Sequence, residues 1–184
     1  MRVDKNRLLL FSFWFMVCSL WFIEGCGYTT RSLITQSYKT IYVRPFVNKI
    51  DITSETSVAR RYKTYYPLLE NDITLKVIDQ FILDGNLRIA RGEDADLILE
   101  GELNDYRRDA LRYTGVDDEE VEEYRISLVV NLKLYDTRGK TQLWEVGSFV
   151  GDTTYFTQES ESSAISRAIE DLARRVVDRV VDVW

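Results

Sequence analysis

The chain has 184 residues, 45% hydrophobic and 29% charged, values near the globular average that exclude both a disordered chain and a multi-span membrane protein. Its formal net charge of −6 argues against general nucleic-acid binding, which needs clustered lysine and arginine. With no histidine at all, Ser-His-Asp and Cys-His catalysis and imidazole metal sites are excluded together.

Residues Met1 to Arg7 carry three basic side chains, and Leu8 to Ile23 form an apolar run broken only by Ser12 and Ser19. This is the n-region and h-region of an export signal. The run is shorter than the roughly 20 residues of a membrane-spanning helix, so cleavage fits better than an uncleaved anchor. Cys18 would leave with the leader, and Cys26 would remain as the single mature thiol, which excludes a disulfide within one mature chain.

The expected domain map is a signal peptide over 1–25, a tether over 26–39 and one folded domain over 40–184. Thr40 to Phe46 alternates Ile41 and Val43 against Tyr42 and Arg44 and predicts a strand, with Pro45 placing its far end at an edge. The polar stretch from Asn48 to Tyr66 reads as a long loop. Pro67 then suits a helix start, Leu69, Ile73, Val77 and Phe81 recur at spacing four with Ile78 and Ile82 on the same side, and Gly85 is the expected stop.

Leu87 and Ile89 predict a short strand, followed by a turn over Gly92 to Asp94. From Leu97 to Tyr106, Leu97, Leu99 and Leu103 face one way and Glu100, Glu102 and Asn104 the other. Ile126, Leu128, Val130, Leu132 and Leu134 make a second half-buried strand over Tyr124 to Tyr135, and Asp136 to Lys140 turns it into a hairpin. Gln142 to Val150 returns with Trp144, Val146 and Val150 facing the core. Ser163 to Trp184 closes the chain as an amphipathic helix, with Ile165, Ala168, Ile169, Leu172, Val176 and Val180 inward and Glu170–Arg174 and Asp171–Arg175 pairs outside. The predicted class is α+β: two helices on one face of a four-stranded, mostly antiparallel sheet, in the order β-α-β-β-β-α.

No Gly-x-Gly-x-x-Gly, P-loop or Gly-x-Ser-x-Gly occurs, so no cofactor, metal or catalytic residue is predicted. Glu100 and Glu102 lie on the wet side of a regular strand, and the acids from Asp117 to Glu123 read as a charged loop. Aromatic and basic residues cluster at two predicted loops: Arg60, Arg61, Tyr62, Lys63, Tyr65 and Tyr66, and Tyr106, Arg107, Arg108, Arg112 and Tyr113. Tyr and Arg are the residue types favoured at binding hot spots.

The junction Ile23-Glu24-Gly25-Cys26 resembles a bacterial lipobox, with Glu24 where a small residue is usual. That resemblance implies a lipidated Cys26 in a bacterium with two membranes, attached through several acyl chains. Gly27, rather than Asp, follows the cysteine, which in enterobacterial sorting favours the outer membrane.

Further residues resemble one family over nearly the whole mature chain. They are Gly25-Cys26-Gly27-Tyr28; Ile41-Tyr42-Val43 leading to Pro45-Phe46; Leu69-Glu70 and Phe81-Ile82-Leu83-Asp84-Gly85; Ala95-Asp96-Leu97-Ile98-Leu99-Glu100-Gly101 with Leu103 and Tyr106; and Ala168 to Ala173 in a helix ending at Trp184. Their order and spacing resemble the LPS-assembly lipoprotein LptE family. The resemblance implies a plug and assembly partner inside an LptD-like outer-membrane β-barrel, on the periplasmic side of the outer membrane, in lipopolysaccharide transport to the cell surface. It also implies that Arg107, Arg108 and Arg112 meet lipopolysaccharide phosphates or the partner. A lipid-anchored activator or scaffold of a cell-wall synthase is the alternative, though such activators need longer tethers than the stretch between Cys26 and the first strand.

Overall fold

The computed structural model describes residues 38–50, 66–115 and 120–182. The leader, Cys26, the Arg60 to Tyr65 cluster, Asp117 to Glu119 and Trp184 lie outside the described residues. Described elements are β1 (Thr40–Val43), β2 (Val47–Asn48), α1 (Leu69–Asp84), β3 (Arg88–Ile89), β4 (Leu97–Thr114), β5 (Glu120–Asp136), β6 (Thr141–Phe156) and α2 (Glu161–Val181). No helix among them is long and apolar enough to cross a membrane.

The class is α+β as expected, but the sheet is mixed and holds six strands among the described residues, in the order β3-β1-β4-β5-β6 with β2 also on β4. β1 runs parallel to β3 and to β4, whereas β4–β5 and β5–β6 are antiparallel. Helix α1 carries the chain back between β1 and β3, which makes those strands parallel. The connection 90–96 then carries the chain from β3 to β4, its Glu93 meeting Arg44 and its Asp96 the N–H groups of Lys39 and Thr40. The first predicted strand stops at Val43, short of Pro45, whose missing N–H interrupts the ladder, and β2 follows at Val47–Asn48, past the predicted end.

Both helices cover one face. Leu69, Ile73, Val77 and Phe81 of α1 are buried against Ile41, Leu97, Leu99 and Leu132, and α2 adds Ile165, Ala168, Ile169, Leu172, Val176 and Val180. Ile82, expected on that same side, is 63% exposed, because one residue past Phe81 turns it about 100° off the buried line. Gly85 stops α1 as expected, at φ 73, its N–H donating to the Phe81 carbonyl at 3.0 Å.

Two glycines admit close approaches. A Cβ on Gly101 would collide with the Phe46 ring, and one on Gly151 would lie 2.6 Å from the Leu172 Cα, so α2 rests directly on the backbone of β6. Phe46 is held further by its N–H, which donates to the Thr74 hydroxyl at 2.9 Å.

Along β6 the expected inward face changes partway. Trp144 and Val146 pair with core-facing Leu134 and Leu132, but Val150 pairs with Val129 on the opposite face. An irregularity between these pairs, with Ser148 at φ 54 and its N–H on the Asn131 side chain at 2.9 Å, shifts the alternation. Beyond it Phe149, Gly151 and Tyr155 take the helix side. Outside α2, Asp171 pairs with Arg175 at 2.8 Å as expected. Arg174 also uses Asp171, while Glu170 lies near Lys76 of α1 instead.

Candidate interaction surfaces

The long strands continue past the helices. β4 reaches Thr114, β5 begins at Glu120 and β6 runs to Phe156, so Tyr106, Arg107, Arg108, Arg112 and Tyr113 stand on a strand rather than the predicted loop. Glu120 to Glu123, expected in a loop, are likewise on β5. Burial falls away along β4, from Leu97 and Leu99 at 0% to Leu111 at 40% and Tyr113 at 48%. The result is a protruding arm held by backbone pairing and cross-strand contacts rather than by a core.

A polar joint marks where the covered sheet becomes the arm. Glu161, the first residue of α2, accepts the Tyr106 hydroxyl at 2.9 Å and the Arg108 guanidinium at 2.8 Å. Arg108 also lies 4.9 Å over the Tyr124 ring, which stacks on Tyr155. Burial, and then the Glu161 carboxylate, push the Tyr106 phenol far above its ordinary pKa, so it remains a protonated donor. The same two causes raise Tyr155.

The three predicted arginines therefore do not form one cluster. Arg108 faces the helix side and is engaged within the protein. Arg107, half exposed, points to the opposite face near Asp105 at 3.7 Å, and Arg112 lies further along the arm, 3.5 Å from Glu123. In both pairs the contact is long and the arginine exposed, so the arginine is held weakly.

At the other end of the sheet, Asp96 fastens the incoming chain. Its carboxylate accepts the N–H groups of Lys39 at 2.7 Å and Thr40 at 3.1 Å, and the Arg138 guanidinium through Nε at 3.0 Å. Burial pushes the Asp96 carboxyl up, but the N–H groups of Lys39 and Thr40 together with Arg138 hold it below its usual range. Tyr38 donates to Asp136 at 3.1 Å beneath the same arginine. The sequence reading missed this node, although an aspartate just ahead of a strand and an arginine in the hairpin turn are its signals.

The outer sheet face carries ion pairs in rows, Arg44 with Glu93 and Glu100, and Lys133 with Glu145 at 3.3 Å. Glu100, read from the sequence as lying on the wet face, is thus engaged by a cation. No group of three or more potential metal ligands occurs among the described residues.

Comparison with solved structures shows the fold. The hypothetical protein CT253 from Chlamydia trachomatis is similar at a TM-score of 0.51 and 10% identity, over 78% of this chain and 96% of that one. A single-substitution variant of the PelC dodecamer from Paraburkholderia phytofirmans gives 0.45 and 18%, over 79% and 90%. A minor lipoprotein from Acinetobacter baumannii gives 0.47 and 15%, over 78% and 91%. No curated protein matches the chain. The model of one family, described as LptE, lipopolysaccharide-assembly, matches residues 38–180, a span that runs from the chain entering at Asp96 to the last turn of α2. The chain therefore belongs to the LptE lipopolysaccharide-assembly family, a family of non-enzymatic lipoproteins.

Proposed function

We propose that this chain is a lipoprotein of the outer membrane, anchored through Cys26 on the periplasmic side, that plugs an LptD-like β-barrel and assists its assembly in lipopolysaccharide transport. The observation that carries this reading is the family match over residues 38–180. Two features of the fold support it. The chain enters the sheet at Lys39 and Thr40, and the stretch from Cys26 to Tyr38 can reach at most roughly 40 Å, which keeps the Asp96 end close to a membrane. The arm leaves from the opposite end: β5, 17 residues long, spans roughly 55 Å.

Within this reading Arg107 and Arg112 offer guanidinium groups to lipopolysaccharide phosphates or to the barrel. Arg108 serves the same surface indirectly, by fixing β4 against α2 through Glu161. Acids at the arm's end, Glu120, Glu122 and Glu123, favour contact with protein over contact with phosphate at that end.

The test is affinity purification of the tagged, mature-processed chain from detergent-solubilised outer membranes, with mass spectrometry of what accompanies it. Stoichiometric recovery of a large outer-membrane barrel is expected, and R107E with R112E then reports on lipopolysaccharide contact. Recovery of a cell-wall synthase in its place, or of no barrel while Cys26 is lipidated, would overturn the proposal in favour of a lipid-anchored scaffold.

A further inference from the structure

Among the described residues β6 ends the sheet and pairs only with β5. The far edge of such a strand carries backbone groups that an added strand could use. Beyond the irregularity at Ser148 the ladder from Phe149 to Phe156 is regular, and it is long enough to receive one more strand. At the opposite end of the sheet β3 spans only Arg88–Ile89, and so short a strand offers little to pair with.

Helix α2 occupies the β6 edge. The Val150 carbonyl accepts the Arg175 guanidinium at 3.2 Å, the Asp152 N–H donates to the Asp171 carboxylate at 3.2 Å, and the Thr154 carbonyl accepts Arg167 at 3.4 Å. The three backbone groups belong to alternate residues, so they share one side of the strand, the side away from β5. The three side chains stand four residues apart on one line of the helix. Their spacings match: four helical residues advance roughly 6 Å and two strand residues roughly 7 Å, with helix and strand running in opposite directions. The row is itself braced, Arg167 by Glu159 at 2.8 Å and Arg175 by Asp171 at 2.8 Å. Donors stand on carbonyls and an acceptor on an N–H, which is what a neighbouring strand would offer.

We propose that Arg167, Asp171 and Arg175 form an edge guard that denies β6 to a strand from a second copy of this chain. A second copy is the partner to exclude because it carries the same edge, so two β6 strands could meet antiparallel about a two-fold axis, each completing the other. Gly151 brings the guard within reach. A Cβ there would lie 2.6 Å from the Leu172 Cα, so its absence lets α2 settle low enough for these side chains to extend round the strand.

The test uses the full, lipidated chain in excess detergent, with mass measured by light scattering over a range of concentrations and hydrogen exchange followed along β6. The parent and R167K/R175K, in which lysine still donates to the carbonyls, are expected to show the mass of one chain. R167A/R175A is expected to double that mass at the same concentration, with exchange over residues 149–156 slowing as it associates. Both arginines are about half exposed, so its thermal unfolding midpoint should stay near that of the parent; R175A alone, read in the same way, serves if the double variant unfolds. An alanine variant that stays single, or that associates without slower exchange over residues 149–156, overturns the guard, as does a parent already paired through this edge.

Discussion

The two halves of the β4–β5 hairpin are continuous in backbone and unlike in everything else. Between Leu97 and Tyr106 one face is dry: Leu97, Leu99 and Leu103, with Leu128, Val130 and Leu132 of the neighbouring strand, are buried beneath two helices. Between Arg107 and Thr114 the same strand exposes Leu111 and Tyr113 and, past the Arg108–Glu161 contact, is stabilised mainly by pairing with β5. Burial of apolar area dominates folding, so the first half is the part that makes the fold, and the second contributes little to it. The exposed second half is carried on strands that the core has already positioned.

The largest test of this division is a pair of truncations. Leu132→Ala removes a fully buried side chain and is expected to cost about 2–5 kcal/mol. Leu111→Ala, on the arm, is expected to change stability by less than about 0.5 kcal/mol. Chemical denaturation of both variants measures the contrast directly. Equal losses would mean that the arm belongs to the core's cooperative unit.

At the border the expected effect is smaller. Glu161→Ala removes the acceptor shared by Tyr106 and Arg108, leaving a buried phenol and a largely enclosed guanidinium without it, at an expected cost of about 1–3 kcal/mol. Hydrogen exchange locates the consequence: amides of residues 107–114 should lose protection more than those of residues 97–103. Uniform loss along β4 would show that the joint supports the whole domain rather than the arm.

What the sequence revealed divides along the same border. Alternation of Leu97, Leu99 and Leu103, and of Ile126 to Leu134, marks strands because each has a dry and a wet face. Past Tyr106 the residues Arg107-Arg108-Asp109 are charged on both faces, the alternation disappears, and a strand stabilised by its neighbour looks like a loop. Parallel pairing of β1 was equally hidden, since a strand's periodicity carries no direction. In α1 the spacing of Leu69, Ile73, Val77 and Phe81 located the buried face, but Ile82 reads as part of it because hydrophobicity alone does not say which of two apolar stripes the sheet will cover. Clustered Tyr and Arg drew attention to Arg107, Arg108 and Arg112, yet separating the engaged Arg108 from the two exposed ones required the position of Glu161, far along the chain.

The smallest expected effect lies at the end of the sheet remote from the arm. Asp96 has its carboxyl held below the ordinary value by the N–H groups of Lys39 and Thr40 and by Arg138, against the opposing influence of burial. A carboxyl depressed in the folded state contributes stability that is fully present above its unfolded pKa, near 4, and is lost as pH falls through the folded value. The parent chain should therefore lose stability below about pH 4 more steeply than Asp96→Asn, while at pH 7 the variant should be the less stable of the two. Thermal unfolding midpoints measured from pH 7 down to pH 3 decide it: parallel curves would show that the carboxylate charge contributes nothing there. Loss of the Asp96 charge weakens the hold on Lys39 and Thr40 where the chain enters the sheet and leaves the Tyr106–Glu161–Arg108 joint untouched, so the exchange pattern of the arm should not change.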